Sequence, residues 1–66
     1  MDIEVDGQAS DVPTGSTLDW LLTDMEISAE TVAVAKNGEV VPRSEVPCCG
    51  LEPDDRIEIV RAVGGG

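Results

Sequence analysis

A single stretch of this chain spaces its apolar residues for a helix. Leu18, Leu21, Leu22 and Met25 fall at i, i+3, i+4 and i+7, which lines them up as one apolar stripe. Ser16 or Thr17 stands where an N-cap is needed, and Asp19 suits the positive end of the helix dipole. Trp20 lies off the centre of the stripe, partly exposed, and Ile27 closes the core beyond the helix. Everything around this helix reads as short strands, so a chain of 66 residues has one way to bury the stripe: against one face of one sheet.

The strands follow from alternation and turns. Ile3 and Val5 alternate with Asp2, Glu4 and Asp6. Asp6-Gly7 is a tight turn, and a second strand runs from Gln8 to Val12 before the loop Pro13-Thr14-Gly15. Thr31 to Lys36 is a strand with bulky Val32 and Val34 on one face and Ala33 and Ala35 on the other. Asn37-Gly38 is a hairpin turn, and Glu39-Val40-Val41 returns until Pro42 stops it. Residues 43–50 read as irregular, with a helical turn near Ser44. Pro53-Asp54-Asp55 is a further turn. The last strand is expected over Arg56–Val63, with Ile57, Ile59 and Arg61 alternating against Glu58, Val60 and Ala62. The order strand, strand, helix, strand, short strand, strand is an α+β domain: a mixed sheet with one main helix packed on one face. The first and last strands are the candidates for its centre.

Composition removes whole classes of function. The chain has no His, Phe or Tyr, and Trp20 is its one aromatic residue. Without His it lacks the usual general base near neutral pH, so triads built on His and His-metal sites are excluded within it. Fourteen acidic residues against Lys36, Arg43, Arg56 and Arg61 give a net charge of −10. Nucleic acid requires a basic footprint, and an anionic membrane repels such a surface, so neither is an expected partner. The charge fits a basic protein partner, and equally a role in solubility alone. Met1-Asp2-Ile3-Glu4 lacks the basic and apolar pattern of a signal peptide, and no apolar run approaches a membrane span; the expected location is cytoplasmic. Cys48 and Cys49 are adjacent, which strains a disulfide between them and falls short of a four-ligand zinc site. They read as two reduced cysteines in a loop.

The chain ends on Gly64-Gly65-Gly66 directly after the last expected strand. Glycine has no side chain and the widest choice of backbone angles, so this end can thread into a narrow site on another enzyme and present its α-carboxylate there. That suits acyl activation. A carboxylate is a poor electrophile; adenylation supplies AMP as a leaving group, and a sulfur nucleophile displaces it. The glycines precede no helix and form no phosphate-binding loop. ATP and Mg²⁺ therefore belong to an activating enzyme, where metal and cationic side chains stabilise the developing charge, and no cofactor is expected on this chain.

Two segments carry a family resemblance. They are Val34-Ala35-Lys36-Asn37-Gly38-Glu39-Val40-Val41-Pro42-Arg43-Ser44-Glu45 and Asp54-Asp55-Arg56-Ile57-Glu58-Ile59-Val60-Arg61-Ala62-Val63-Gly64-Gly65-Gly66. With the helix Thr17-Leu18-Asp19-Trp20-Leu21-Leu22 between strands, the chain resembles the ThiS family of thiamine-biosynthesis sulfur carriers, over nearly its whole length. The resemblance implies the ubiquitin-like β-grasp fold over residues 1–63 and a flexible glycine tail over 64–66. It implies a carrier rather than an enzyme. A ThiF-like adenylyltransferase charges Gly66, a persulfide donor supplies sulfur, and thiazole synthase takes that sulfur from the Gly66 thiocarboxylate, with Gly65 and Gly64 as the slim approach. In two places the sequence departs from the family: Cys48-Cys49 answers to no family requirement, with a sulfur relay as the minority reading, and the second is the loop before the last strand. The loop Glu52-Pro53-Asp54-Asp55-Arg56 has no Gly between its acidic residues, which leaves the turn type open. Two related readings share the tail chemistry: the small subunit of molybdopterin synthase, and a protein modifier joined to target lysines through Gly66.

A docking surface is also expected. Ala33, Ala35, Val60 and Ala62 share the sheet face away from the helix, a small-residue apolar face suited to a flat partner. Arg61 and Arg56 are expected to add polar contacts at its edge.

Overall fold

The structure, a computed structural model, describes residues 1–61. Strands β1 (Asp2–Val5), β2 (Gln8–Asp11), β3 (Val32–Lys36), β4 (Glu39–Val41) and β5 (Arg56–Arg61) form one sheet in the order β2-β1-β5-β3-β4. Helix α1 (Leu18–Asp24) and two 3₁₀ segments, Ala29–Thr31 and Arg43–Cys48, complete the described chain. β5 lies at the centre, parallel to β1 and antiparallel to β3. This is the mixed sheet with one main helix expected from the sequence, in β-grasp topology. Of the two central candidates it is the last strand that takes the middle. The Ala62 and Val63 end of the expected strand lies outside the described residues.

The two hairpins turn where expected, and for the expected reason. Asp6 and Gly7 have φ of 50° and 83°, Asn37 and Gly38 have 52° and 87°. Both pairs are left-handed, as a two-residue turn of type I′ requires. The turn side chains then do a second job. Asp6 Oδ1 accepts the Ile59 N–H at 2.9 Å, and Asn37 Oδ1 accepts the Arg56 N–H at 2.9 Å. Two polar turn residues, one from each hairpin, thereby tie the strands on either side to β5.

The core is formed by Ile3, Val5, Val12, Leu18, Leu21, Leu22, Val34, Val46, Leu51 and Ile57. Leu18, Leu22 and Ile57 are the largest fully buried side chains. Thr17, not Ser16, caps α1, its hydroxyl accepting the Trp20 N–H at 3.2 Å. Ser16 is buried and donates to the Pro13 carbonyl at 2.6 Å. Met25 departs from the expected stripe. The helix stops at Asp24, so Met25 falls at the C-cap and stays 39% exposed. Residues 43–50, read as irregular, contain a six-residue 3₁₀ segment that buries Val46 against α1.

The end of α1 is a Schellman motif. The Ile27 N–H donates to the Leu22 carbonyl at 2.8 Å and the Glu26 N–H to the Thr23 carbonyl at 3.0 Å. Glu26 therefore takes the left-handed position that glycine fills at least cost, with φ of 59°. Glu26→Gly is expected to stabilise the domain by about 0.5–1 kcal/mol, the relief of a Cβ clash less the added chain entropy. A melting temperature raised by a few degrees in thermal unfolding checks this; an unchanged or lowered value contradicts it. The loop that departs from the family pattern behaves alike. Pro53 sits at the second position of a turn closed by Asp55 N–H to Glu52 O at 3.2 Å, and Asp54 has φ of 68°. This is type II geometry with Asp in the position glycine favours.

Candidate functional site

The register of the sheet decides which side chains share a face. Ala33 pairs with Val60, Ala35 with Glu58, and Val34 with Ile59. Val34 and Ile57 are buried under α1, so Ala33, Ala35, Glu58 and Val60 stand on the other side, as expected. On β4, Val40 pairs with Ala35 and joins that side. Val60 is 60% exposed and Val40 73% exposed. The outer face thus carries a low apolar strip across β4, β3 and β5 that no helix among the described residues covers. Val40 was not singled out in the sequence, although the two-residue turn at Asn37-Gly38 already places it opposite Ala35.

The other half of this face is acidic. Asp2 and Glu4 alternate outward on β1, since Ile3 and Val5 are buried. Glu58 faces out beside them. Arg56 lies on the same side, 3.4 Å from Glu4, and partly offsets them. An apolar half beside an acidic half fits a partner that presents an aliphatic surface next to Lys or Arg.

Arg61 does not flank the strip. It pairs with Val32, which places it on the helix side. There it borders a hollow of about 210 Å³ with Glu26, Ile27, Ser28 and Thr31. Ala62, Gly64, Gly65 and Gly66 lie outside the described residues. In the sequence they follow Arg61, the residue after Val60.

Cys48 and Cys49 lie elsewhere. They line an open groove of about 710 Å³ with Lys36, Val40, Val41 and Pro42; Cys48 is exposed and Cys49 half-buried. Lys36 is opposite Ile57, whereas Arg61 is opposite Val32. The thiols therefore sit toward the end of β5 where the strand begins, about 13 Å from the end that leads to the tail, at ~3.3 Å per residue. Among the described residues no group of three or more Cys, Asp and Glu side chains is placed to hold a metal ion, and no helix is long and apolar enough to cross a membrane.

The loop entering β5 is held by a buried carboxylate that the sequence reading did not single out. Asp55 is 6% exposed. Its Oδ1 accepts from Asn37 Nδ2 at 2.9 Å, its Oδ2 from the Glu52 N–H at 2.8 Å, and Lys36 Nζ stands 3.5 Å away. Burial opposes ionisation, but the bonds from Asn37 and Glu52 together with the Lys36 charge outweigh it and hold the carboxyl below the ordinary aspartate value. Lys36 also donates to the Gly50 carbonyl at 3.0 Å.

Comparison with known proteins places this architecture. The sequence profile of the ThiS family matches residues 2–66. The chain belongs to the ThiS family. Solved structures agree: the crystal structure of the thiamine biosynthesis protein ThiS from Geobacter metallireducens superposes with a TM-score of 0.86 at 30% identity, covering all of both chains. A solution structure of a thiamine biosynthesis protein from the same organism gives 0.78, covering all of this chain and 88% of that one. Two curated relatives are thiazole synthases. The one from Magnetococcus marinus is 38% identical over the 66 residues, and the one from Paramagnetospirillum magneticum is 30% identical. The chain spans about a fifth of their length: 20% in each case. Family and fold together support a thiamine-biosynthesis sulfur carrier.

Proposed function

We propose that this chain carries sulfur on the α-carboxylate of Gly66 for formation of the thiazole ring of thiamine. The exposed apolar strip beside the strand that leads into Gly64-Gly65-Gly66 is the observation that carries this reading. A partner seated on Val60, Ala33, Ala35 and Val40 receives the tail along its own surface. In the cycle, a ThiF-like adenylyltransferase binds ATP and Mg²⁺ and converts the carboxylate to an acyl adenylate. The terminal sulfur of a persulfide donor attacks the acyl carbon and displaces AMP, forming an acyl disulfide. A thiol then cleaves its S–S bond, leaving a thiocarboxylate at Gly66 and the donor sulfur in a new disulfide. Thiazole synthase then takes the sulfur. The sheet face presents the surface that is recognised, and the terminal glycines present the carboxylate.

The two thiazole synthases favour this branch over the small subunit of molybdopterin synthase. In each of them a segment similar to this whole chain lies within a polypeptide named for that reaction. The test is intact-mass analysis after incubation with ATP, Mg²⁺, an adenylyltransferase of this type, a persulfide donor and a thiol reductant. Replacement of one oxygen by sulfur is expected, and none in a chain ending at Gly64. An unchanged mass overturns the proposal. Attachment of Gly66 to lysines of other proteins makes the chain a modifier instead.

A further inference from the structure

The turn between β3 and β4 joins an asparagine to a glycine, a pair with a chemistry of its own. A backbone N–H that follows asparagine can attack the side-chain amide, and glycine, lacking a Cβ, hinders that attack least. Asn37 and Gly38 are both exposed. At Gly38 even an added Cβ meets no atom within 4 Å, so the turn faces open space on that side. Against this, the Asn37 amide is held at both ends. Its Nδ2 donates to Asp55 Oδ1 and its Oδ1 accepts from the Arg56 N–H, each at 2.9 Å. The Asn37 N–H donates to the Arg56 carbonyl at 2.7 Å.

We propose that Asn37 is a spontaneous deamidation site, and that the Asp55–Asn37–Arg56 clasp sets its rate. The reaction needs only water and hydroxide. Gly38 N loses its proton to hydroxide and attacks Asn37 Cγ. A C–N bond closes a five-membered imide, and the side-chain nitrogen leaves as ammonia. Water then opens the imide at one carbonyl or the other, giving aspartate or isoaspartate. While the clasp holds, the amide carbon is fixed in the geometry of its hydrogen bonds and cannot turn toward Gly38 N. Attack therefore awaits local opening of the hairpin from β5.

The product cannot re-form the clasp. A carboxylate at position 37 replaces the donor to Asp55 by a negative charge, beside a carboxylate already buried, and like charges at that distance oppose one another. Isoaspartate also lengthens the backbone of a two-residue turn. The bonds that tie the β3–β4 turn to the start of β5 are thereby lost, at the end of the hairpin that carries Val40 on the outer face. Modification at one exposed turn thus reaches the surface on which the proposed partners dock.

The experiment incubates the full chain in mildly alkaline buffer and follows Asn37 by peptide mass analysis. Three samples run beside it: a peptide spanning Lys36–Glu39, the variant Asp55→Asn, and Val46→Ala. The last of these weakens the core and leaves the clasp intact. The proteins are held where Trp20 fluorescence reports them folded. The folded wild type is expected to deamidate at least about tenfold more slowly than the peptide, as ordinary hydrogen bonds that must first open imply. Asp55→Asn, whose one acceptor oxygen is taken by the Glu52 N–H while its NH₂ group faces Asn37 Nδ2, is expected to recover most of that factor, and Val46→Ala much less. Equal rates in wild type and peptide overturn the proposal. So does an Asn37 that stays intact in the peptide, or a Val46→Ala rate as high as that of Asp55→Asn. Should Asp55→Asn not fold, the wild type against the peptide and Val46→Ala decides the matter alone.

Discussion

Val60→Asp is expected to lower the rate of adenylation on the order of a hundredfold at limiting carrier, a loss of about 2.7 kcal/mol, with the fold unchanged. The expectation rests on position. Val60 lies on the central strand, opposite Ala33 and just before the tail, and is 60% exposed. A partner that seats the tail must pass over it. A carboxylate there must be stripped of water against an aliphatic surface with no counter-charge from this chain, and that penalty falls on the complex alone. Folding is spared because the side chain never enters the core; the cost is the poorer strand propensity of Asp, within about 1 kcal/mol. Val60→Lys separates the two components of the effect. If apolar contact is what matters, both variants fail. If only Val60→Asp fails, charge alone is responsible, since Glu58 already stands two residues away on the same face. Adenylation unchanged in both removes the outer face from the proposed cycle. The readout is pyrophosphate release over a range of carrier concentrations, with circular dichroism as the check on folding.

The architecture was largely legible in the residues because short-range rules governed it. The spacing of Leu18, Leu21 and Leu22 placed the helix, and Asp6-Gly7 and Asn37-Gly38 placed both hairpins. The alternation about Ile57 and Ile59 identified the strand that takes the centre. Assignment of Ala33, Ala35 and Val60 to one face needed only the period of two. Most of what escaped depended on contacts distant in sequence, the end of the helix being the local exception. Met25 fitted the stripe, yet the Schellman end at Glu26 stops the helix before it can turn inward. Val46 sits in a stretch with no periodicity and becomes core only because a 3₁₀ segment lays it on α1. Arg61 was expected at the edge of the outer face, although the period of two sets it with Ile57 and Ile59, and its pairing with Val32 does place it on the helix side. Asp55 read as one more acid in a turn. Its partners Asn37 and Lys36 come from another hairpin, 18 and 19 residues earlier in the chain, and no local pattern announces that meeting. The chemistry at Gly66 was read from the tail and the family resemblance, and lies outside the described residues.

Asp55→Asn is expected to destabilise the domain near neutral pH by about 2–3 kcal/mol. Domains of this size have only about 3–10 kcal/mol in all, so a sizeable part of the stability hangs on one carboxylate. The substitution keeps the shape and changes the polarity. Two donors, Asn37 Nδ2 and the Glu52 N–H, point at the two carboxylate oxygens, and an amide can accept from only one of them. The other then faces an NH₂ group, donor against donor, and Lys36 loses its counter-charge. The pH dependence follows from the direction of the shift. The folded Asp55 holds its proton less tightly than the ordinary value of 3.8. Its contribution is therefore fully present above that value and is lost as the pH falls through the lower, folded one. Above it, wild type and variant should differ by the full amount. Below it, the wild-type side chain is protonated and the gap should close. Urea unfolding, followed through Trp20 at neutral pH and again in acid, reads both. A gap that is absent at neutral pH, or that persists undiminished in acid, would show that the bonds to Asn37, Glu52 and Lys36 do not hold the loop entering β5.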